Sequence, residues 1–102
     1  MASEVKSDNY YTVYYWMSTE LGLSGIEKDL YALIYRYYSD NGKECYYSYS
    51  QLVQITGSYT NKVIRALKSL SQKGLIDIHK KNNGKNYYSI VTEKLSFLKL
   101  YS

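Results

Sequence analysis

The sequence predicts an α+β fold, mainly α, with a three-helix core, a two-stranded basic hairpin and a short C-terminal helix. Three observations predict it. Two capped helical segments, starting at Ser48 and Ser58, are joined through Gly57, and the second stops at Gly74. After Gly74 the apolar period changes from helical to alternating, and the alternation is broken once, at Asn82-Asn83-Gly84-Lys85. The chain has 102 residues, enough for one core and no second. Leu, Ile, Val and Phe make up about a quarter of it, above the roughly one-fifth mark below which disorder prevails.

Element by element, residues 1–9 are small and polar and read as a disordered N-terminus, leaving residues 10–102 as a single domain. Tyr10 to Trp16 is aromatic and β-branched, which favours an extended segment or a first strand. Ser24-Gly25-Ile26-Glu27 reads as a capping box, the Ser24 hydroxyl accepting from the Glu27 amide while the carboxylate reaches back. In the helix that follows, Ile26, Leu30, Leu33, Ile34 and Tyr37 share one face, and Tyr31, Tyr35 and Tyr38 form a second stripe. Asp40-Asn41-Gly42 is turn chemistry and ends it near Ser39.

The second helix starts at Ser48 with Gln51 three residues on, runs through Leu52, Val53 and Ile55, and ends at Thr56-Gly57. Ser58 then caps a third helix, whose buried stripe is Val63, Ala66, Leu67 and Leu70 and whose left-handed stop is Gly74. Leu75 to Lys81 and Asn86 to Val91 are the strands of a hairpin. A mirror-image Asn-Gly turn places Lys80, Lys81, Lys85 and Asn86 near its tip. Thr92 to Leu100 reads as a last short helix docked through Leu95, Leu98 and Leu100. Helix, helix, turn, helix, basic hairpin is the order of a winged helix-turn-helix.

Charge is unevenly placed. The net charge is +4, yet between Tyr59 and Tyr87 seven cations (Lys62, Arg65, Lys68, Lys73, Lys80, Lys81 and Lys85) face only Asp77. A basic segment on an otherwise slightly acidic chain is the footprint of a polyanion-binding face, although a solvated lysine surface is the commoner fate of such residues. The second helix of a helix-turn-helix enters the major groove with its N-terminal residues on the base edges. The buried stripe turns Asn61, Lys62, Arg65, Lys68 and Gln72 outward. Asparagine pairs bidentately with adenine and arginine with guanine, so Asn61 and Arg65, with Thr60 beside them, are the candidates for base readout. Ser58, Tyr59, Lys62 and Lys68 are the candidates for backbone contact, joined by Lys80, Lys81, Lys85 and Asn86 from the hairpin.

Enzyme chemistry is not supported. His79 is the one histidine and Cys45 the one cysteine, so neither a zinc set nor a disulfide framework can be assembled within the chain. Asp40 and Glu44 flank a turn but lack the calcium-loop pattern, and no phosphate-loop or dinucleotide fingerprint occurs. No cofactor and no small-molecule substrate are implied. With no span-length apolar run and no signal-peptide core, the expectation is a cytoplasmic protein that does not engage a membrane.

Tyrosine supplies 15 residues against one phenylalanine. A small domain cannot satisfy 15 buried hydroxyls, so some must face solvent, where tyrosine favours protein interfaces. Tyr10, Tyr11, Tyr14 and Tyr15 cluster near the N-terminus and make the candidate interface, for a homodimer or a foreign protein. The bland alternative is that tyrosine here merely replaces phenylalanine.

Two blocks carry a family resemblance: Trp16 to Gly25 with Leu30 to Tyr35, and Leu52 to Ser58 with Val63 to Leu70 and Lys73 to Ile76. They resemble the winged-helix domain at the N-terminus of plasmid replication initiators of Gram-positive bacteria, and short helix-turn-helix proteins of phages and mobile elements. The resemblance spans roughly Trp16 to Ile76. It implies binding of double-stranded DNA through the helix beginning at Ser58, often as a dimer, in the control of transcription or replication. The competing reading is a winged helix that binds protein through its tyrosine surface, such as an antirepressor or a phage-encoded inhibitor of host defence (an anti-CRISPR protein).

Overall fold

The computed structural model describes residues 11–41, 44–81 and 84–100. The elements are α1 (Trp16–Thr19), α2 (Gly25–Asn41), α3 (Tyr49–Thr56), α4 (Thr60–Gln72), β1 (Ile76–Lys80), β2 (Asn86–Ile90) and a C-terminal 3₁₀ helix (Thr92–Leu100). The α+β winged helix-turn-helix expected from the sequence is the observed fold. Residues 1–9, read as disordered, lie outside the described residues, as does Tyr10.

The expected first strand does not form. Tyr11 to Tyr14 is irregular, and the chain turns into α1 through bonds from the Met17 amide to the Tyr14 carbonyl and from the Thr19 amide to the Tyr15 carbonyl. Burial of Trp16 overrides strand propensity here. Its ring packs edge-on against Tyr31, Tyr35 and Phe97, with centroids 6.4, 5.2 and 5.4 Å away. Such contacts add about 0.5–1.5 kcal/mol each beyond the area they bury.

Helix α2 runs through the middle of the core, with Leu30, Tyr31, Ala32, Leu33 and Ile34 all buried. Glu27, read as the partner of Ser24, accepts from Lys73 Nζ at 2.6 Å, tying the start of α2 to the end of α4. Ser48 and Gln51 form the expected capping box: the Ser48 amide donates to Gln51 Oε1 at 2.8 Å, and the Gln51 amide donates to Ser48 Oγ at 3.2 Å. Gly57 closes α3 with φ +69, and its amide donates to the Val53 carbonyl.

The cap of α4 is one residue later than expected. The Val63 amide bonds the Tyr59 carbonyl, so Tyr59, not Ser58, is the N-cap, and its phenol reaches no backbone amide. The far end follows the sequence closely. Gly74 adopts φ +75, its amide donates to the Ser71 carbonyl, and the Leu75 amide donates to the Leu70 carbonyl. This is a Schellman closure, sealed by the buried pair Leu70 and Leu75.

Strands β1 and β2 pair antiparallel in the register Ile76↔Ile90, Ile78↔Tyr88 and Lys80↔Asn86. The turn differs from the two-residue mirror-image form. The Lys81 amide donates to the Lys85 carbonyl and the Gly84 amide to the Lys81 carbonyl, so three residues separate the last bonded pair, with glycine at φ +82. Asn82 and Asn83 themselves lie outside the described residues. A third extended segment, absent from the sequence reading, adds to the sheet: Cys45 and Tyr88 exchange both backbone bonds at 2.8 and 2.9 Å. Both side chains are buried, and burial pushes the Cys45 thiol up to about 11. Leu95 of the 3₁₀ helix is buried, while Phe97 and Leu98 pack half-buried on the core. The side chain of Leu100 lies outside the described set.

The apolar periodicity of α3 treats Leu52 and Ile55 alike, but the fold does not: Leu52 is fully buried and Ile55 is 39 % exposed. Leu52→Ala is therefore expected to cost about 3 kcal/mol of unfolding free energy through the cavity it leaves, and Ile55→Ala less than about 1 kcal/mol. Urea denaturation of the two variants checks this, and equal losses would contradict the observed burial.

Candidate nucleic-acid interface

Helix α4 packs against α2, α3 and β1 through the buried stripe Val63, Ala66, Leu67 and Leu70. That stripe leaves Asn61, Arg65, Lys68 and Gln72, spaced four, three and four residues apart, along the opposite face. All four are exposed, as are Thr60 and Lys62. The helix carries no carboxylate along its 13 residues. Its first turn holds amides without intrahelical acceptors and the positive end of the helix dipole, both of which favour an anion. Tyr59, 60 % exposed, stands at that end, while Ser58 is half-buried.

The wing carries the second group. Lys80, Lys81 and Lys85 are exposed as expected. Lys81 is not a free-swinging cation: its ammonium lies over the Tyr46 ring, 4.4 Å from the centroid, and 5.7 Å from that of Tyr87. Tyr87 stacks on Tyr46 at 5.3 Å and on His79 at 4.7 Å, making an aromatic row across the outer face of the sheet. His79 Nε2 shares a hydrogen bond with Ser89 Oγ at 3.0 Å. Asn86, the first residue of β2 after the turn, is drawn inward: its Nδ2 donates to the Tyr49 hydroxyl at 2.7 Å, joining the tip end of the wing to the first turn of α3.

Between the tip end of the wing and α3 lies a cleft of about 370 Å³, walled by Tyr46, Tyr47, Tyr49, Gln51, Gly84 and Lys85. Sequence reasoning missed it because its walls come from two separate stretches of chain. Only the tyrosine run Tyr46-Tyr47-Ser48-Tyr49 beside a helix cap hinted at it.

The N-terminal tyrosines divide. Tyr11 packs half-buried against the core, Tyr14 stacks on Trp16 at 5.7 Å with 41 % of its surface exposed, and Tyr15 is 71 % exposed. Among the described residues no three His, Cys, Asp or Glu side chains gather as a metal site, and no helix is long and apolar enough to cross a membrane.

A family model for the helix-turn-helix domain matches residues 21–76, more than half of the chain. The protein belongs to the helix-turn-helix domain family. The match covers α2, α3, α4 and the first residue of β1, that is, the helical core and the face of α4 just described. No curated protein matches the chain. Solved structures share the fold, two of them over nearly the whole chain. One, from a Rep–DNA complex, aligns over 91 % of this chain and 88 % of its own at 16 % identity, with a TM-score of 0.58. The other, the N-terminal domain of a DNA-binding protein, aligns over 100 % of this chain and 98 % of its own at 14 % identity, also with a TM-score of 0.58. The likeness to an initiator winged helix, expected from the residues, is thus met at the level of the fold.

Proposed function

We propose that this helix-turn-helix protein is a sequence-specific double-stranded DNA-binding regulator of transcription or replication, of phage, plasmid or other mobile-element origin. The observation that carries the reading is the outward face of α4: Thr60, Asn61, Lys62, Arg65 and Lys68 are all exposed on a helix without a carboxylate. The two structures that share the fold, one from a Rep–DNA complex and one a domain of a DNA-binding protein, support it. Asn61 and Arg65 read base edges, with Thr60 beside them. Ser58, Tyr59, Lys62 and Lys68 hold the backbone at the helix start, and Lys80, Lys81 and Lys85 hold it from the wing. Asn86, next to the turn of the wing, joins them in the backbone contact while its Nδ2 holds the Tyr49 hydroxyl. A homodimer would place two α4 helices on two half-sites about one helical turn apart.

One observation favours a second reading. Tyr15 and Tyr14 stand exposed beside Val13, next to a cleft of about 180 Å³ lined by Tyr11, Tyr35, Arg36 and Asp40. A protein partner bound there, as in an antirepressor or an inhibitor of host defence, would use this end rather than α4. Charge reversal at Lys62 and Lys68 separates the two: it abolishes activity under the first reading and spares it under the second.

Fluorescence titration with mixed duplex DNA at two salt concentrations, alongside a light-scattering mass, tests the main reading. With about six phosphates neutralised, the logarithm of affinity is expected to fall with the logarithm of salt at a slope near about −5. No binding at low salt would eliminate the reading. Once a target site is selected, Arg65→Ala is expected to relax preference at one base position at a cost of about 1–3 kcal/mol. Undiminished affinity of that variant across every operator variant would remove Arg65 from base readout.

A further inference from the structure

The outer face of the wing sheet is graded along its strands. With Cys45 bridged to Tyr88, Tyr46 stands opposite Tyr87, and Tyr87 stands opposite His79 in the hairpin register. Side chains alternate between the faces of a strand. Glu44, Ser89 and Asp77 therefore form one row, the rings of Tyr46, Tyr87 and His79 the next, and Lys85 and Lys81 the row at the tip, where the Lys81 amide donates to the Lys85 carbonyl. The opposite face holds the buried side chains of Cys45, Tyr88, Ile76 and Ile90. Across the three outer rows no aliphatic side chain occurs: the face is acidic, then aromatic, then basic.

The ring row has one open end. Tyr87 is flanked on both sides, by Tyr46 at 5.3 Å and His79 at 4.7 Å, with the planes inclined by only 23° and 19°. His79 is in turn held by Ser89 Oγ at 3.0 Å. Tyr46 is the edge ring, and 53 % of the residue is exposed. Lys81 Nζ, 4.4 Å from the Tyr46 centroid and 5.7 Å from that of Tyr87, sits in the notch between the two rings. On the outer side of Tyr46 it would stand much farther from Tyr87. The outer π-face of Tyr46 is thus covered neither by Tyr87 nor by that ammonium, while a cation is held close beside it.

We infer that Tyr46 takes an unpaired nucleobase of single-stranded DNA as the next ring of this row, with Lys81 and Lys85 holding the adjoining phosphates. Open aromatic faces beside cations suit single strands, since every base has a π-face and the cations track the backbone. The grading of the face fits a nucleotide. Phosphate is drawn to the lysine end, the base meets the rings, and Glu44 and Asp77 repel a strand that runs toward the root. Bases within a duplex are stacked on one another and closed to the ring, so this activity is separate from the major-groove contacts of α4. It goes beyond the duplex reading, and only the choice of DNA over RNA rests on that reading. Tyr87 and His79 are positioning residues, which hold the plane of Tyr46 by stacking behind it.

The test titrates a fluorescein-labelled single strand of about 12 nucleotides at about 50 mM salt, beside its duplex, an abasic strand of the same length and the RNA of the same sequence. The unaltered protein is expected to bind the single strand, and to bind the abasic strand about tenfold more weakly. Tyr46→Leu should weaken single-strand binding by about the same factor and leave duplex binding within about twofold. Tyr46→Phe keeps the ring and should bind as the original protein does. Thermal melting of both variants checks that the fold is kept, and the abasic strand tests the site without any substitution. Absence of single-strand binding would overturn the inference. So would equal affinity for the abasic strand, or undiminished binding by Tyr46→Leu, since either leaves only charge attraction. Equal weakening of duplex and single strand by Tyr46→Leu would overturn it too, by making the ring a duplex contact. Tighter binding of the RNA would overturn the choice of DNA. Failure of the duplex alone to bind, with the single-strand results as expected, would remove the duplex reading and leave the ring site standing.

Discussion

Two backbone hydrogen bonds, exchanged between Cys45 and Tyr88, set where the wing stands. A two-stranded hairpin alone is marginal in water; here β1 packs on α4 and β2 on α2, and the bridge fixes the hairpin to the segment before α3 as well. The bridge makes the hairpin the outer part of a three-stranded arrangement whose inner residues, Cys45, Tyr88 and Ile90, are buried with the helices. It also brings the segment before α3 alongside β2, which is why Tyr49 can reach Asn86 and why a cleft exists between them. The placement of Lys80, Lys81 and Lys85 relative to the face of α4 follows from the same constraint.

Legibility in the sequence tracked the range of the forces involved. The capping box of Ser48 and Gln51, the turn at Gly57 and the Schellman stop at Gly74 act within five residues, and the residue types at those positions state them directly. The outward face of α4 was legible for a related reason: once Val63, Ala66, Leu67 and Leu70 are buried, helical geometry leaves Asn61, Arg65 and Lys68 no other side. Errors arose where tertiary packing chose between local options. Ser58 is a better cap than Tyr59 by residue type, yet the helix begins where the turn after α3 delivers the chain. Tyr10 to Trp16 has strand propensity, yet Tyr11 to Tyr14 is irregular and the demand of Trp16 for an aromatic pocket turns the chain into α1 from Tyr15 on. The cleft was beyond reach, since its central bond joins residues 37 positions apart and a one-residue bridge at Cys45 leaves no alternation to detect.

The tyrosine excess turns out to serve two structural uses as well as exposed surface. In the core, Tyr31 and Tyr88 stand where phenylalanine, of which the chain has one, would serve, and the Tyr31 hydroxyl is buried without a partner. Burial raises the pKa of both phenols, that of Tyr88 to about 12, so both stay neutral across the physiological range. On the sheet, Tyr46 and Tyr87 form with His79 a row of rings on which Lys81 rests. Among the described residues the exposed tyrosines lie apart: Tyr14 and Tyr15 at the N-terminal end, Tyr46 beside the wing and Tyr59 at the start of α4.

The single thiol of the protein lies in the strand segment that fastens the wing to the body. Because Cys45 is buried and its proton is held more tightly than usual, a thiol reagent can reach it only through an opening of the native state. Any opening that undoes the bridge to Tyr88 exposes it, whereas fraying of residues remote from the bridge does not. The rate of its modification therefore reports the free energy of local unfolding of the wing, as distinct from global unfolding, and the protein carries this clock without any added label.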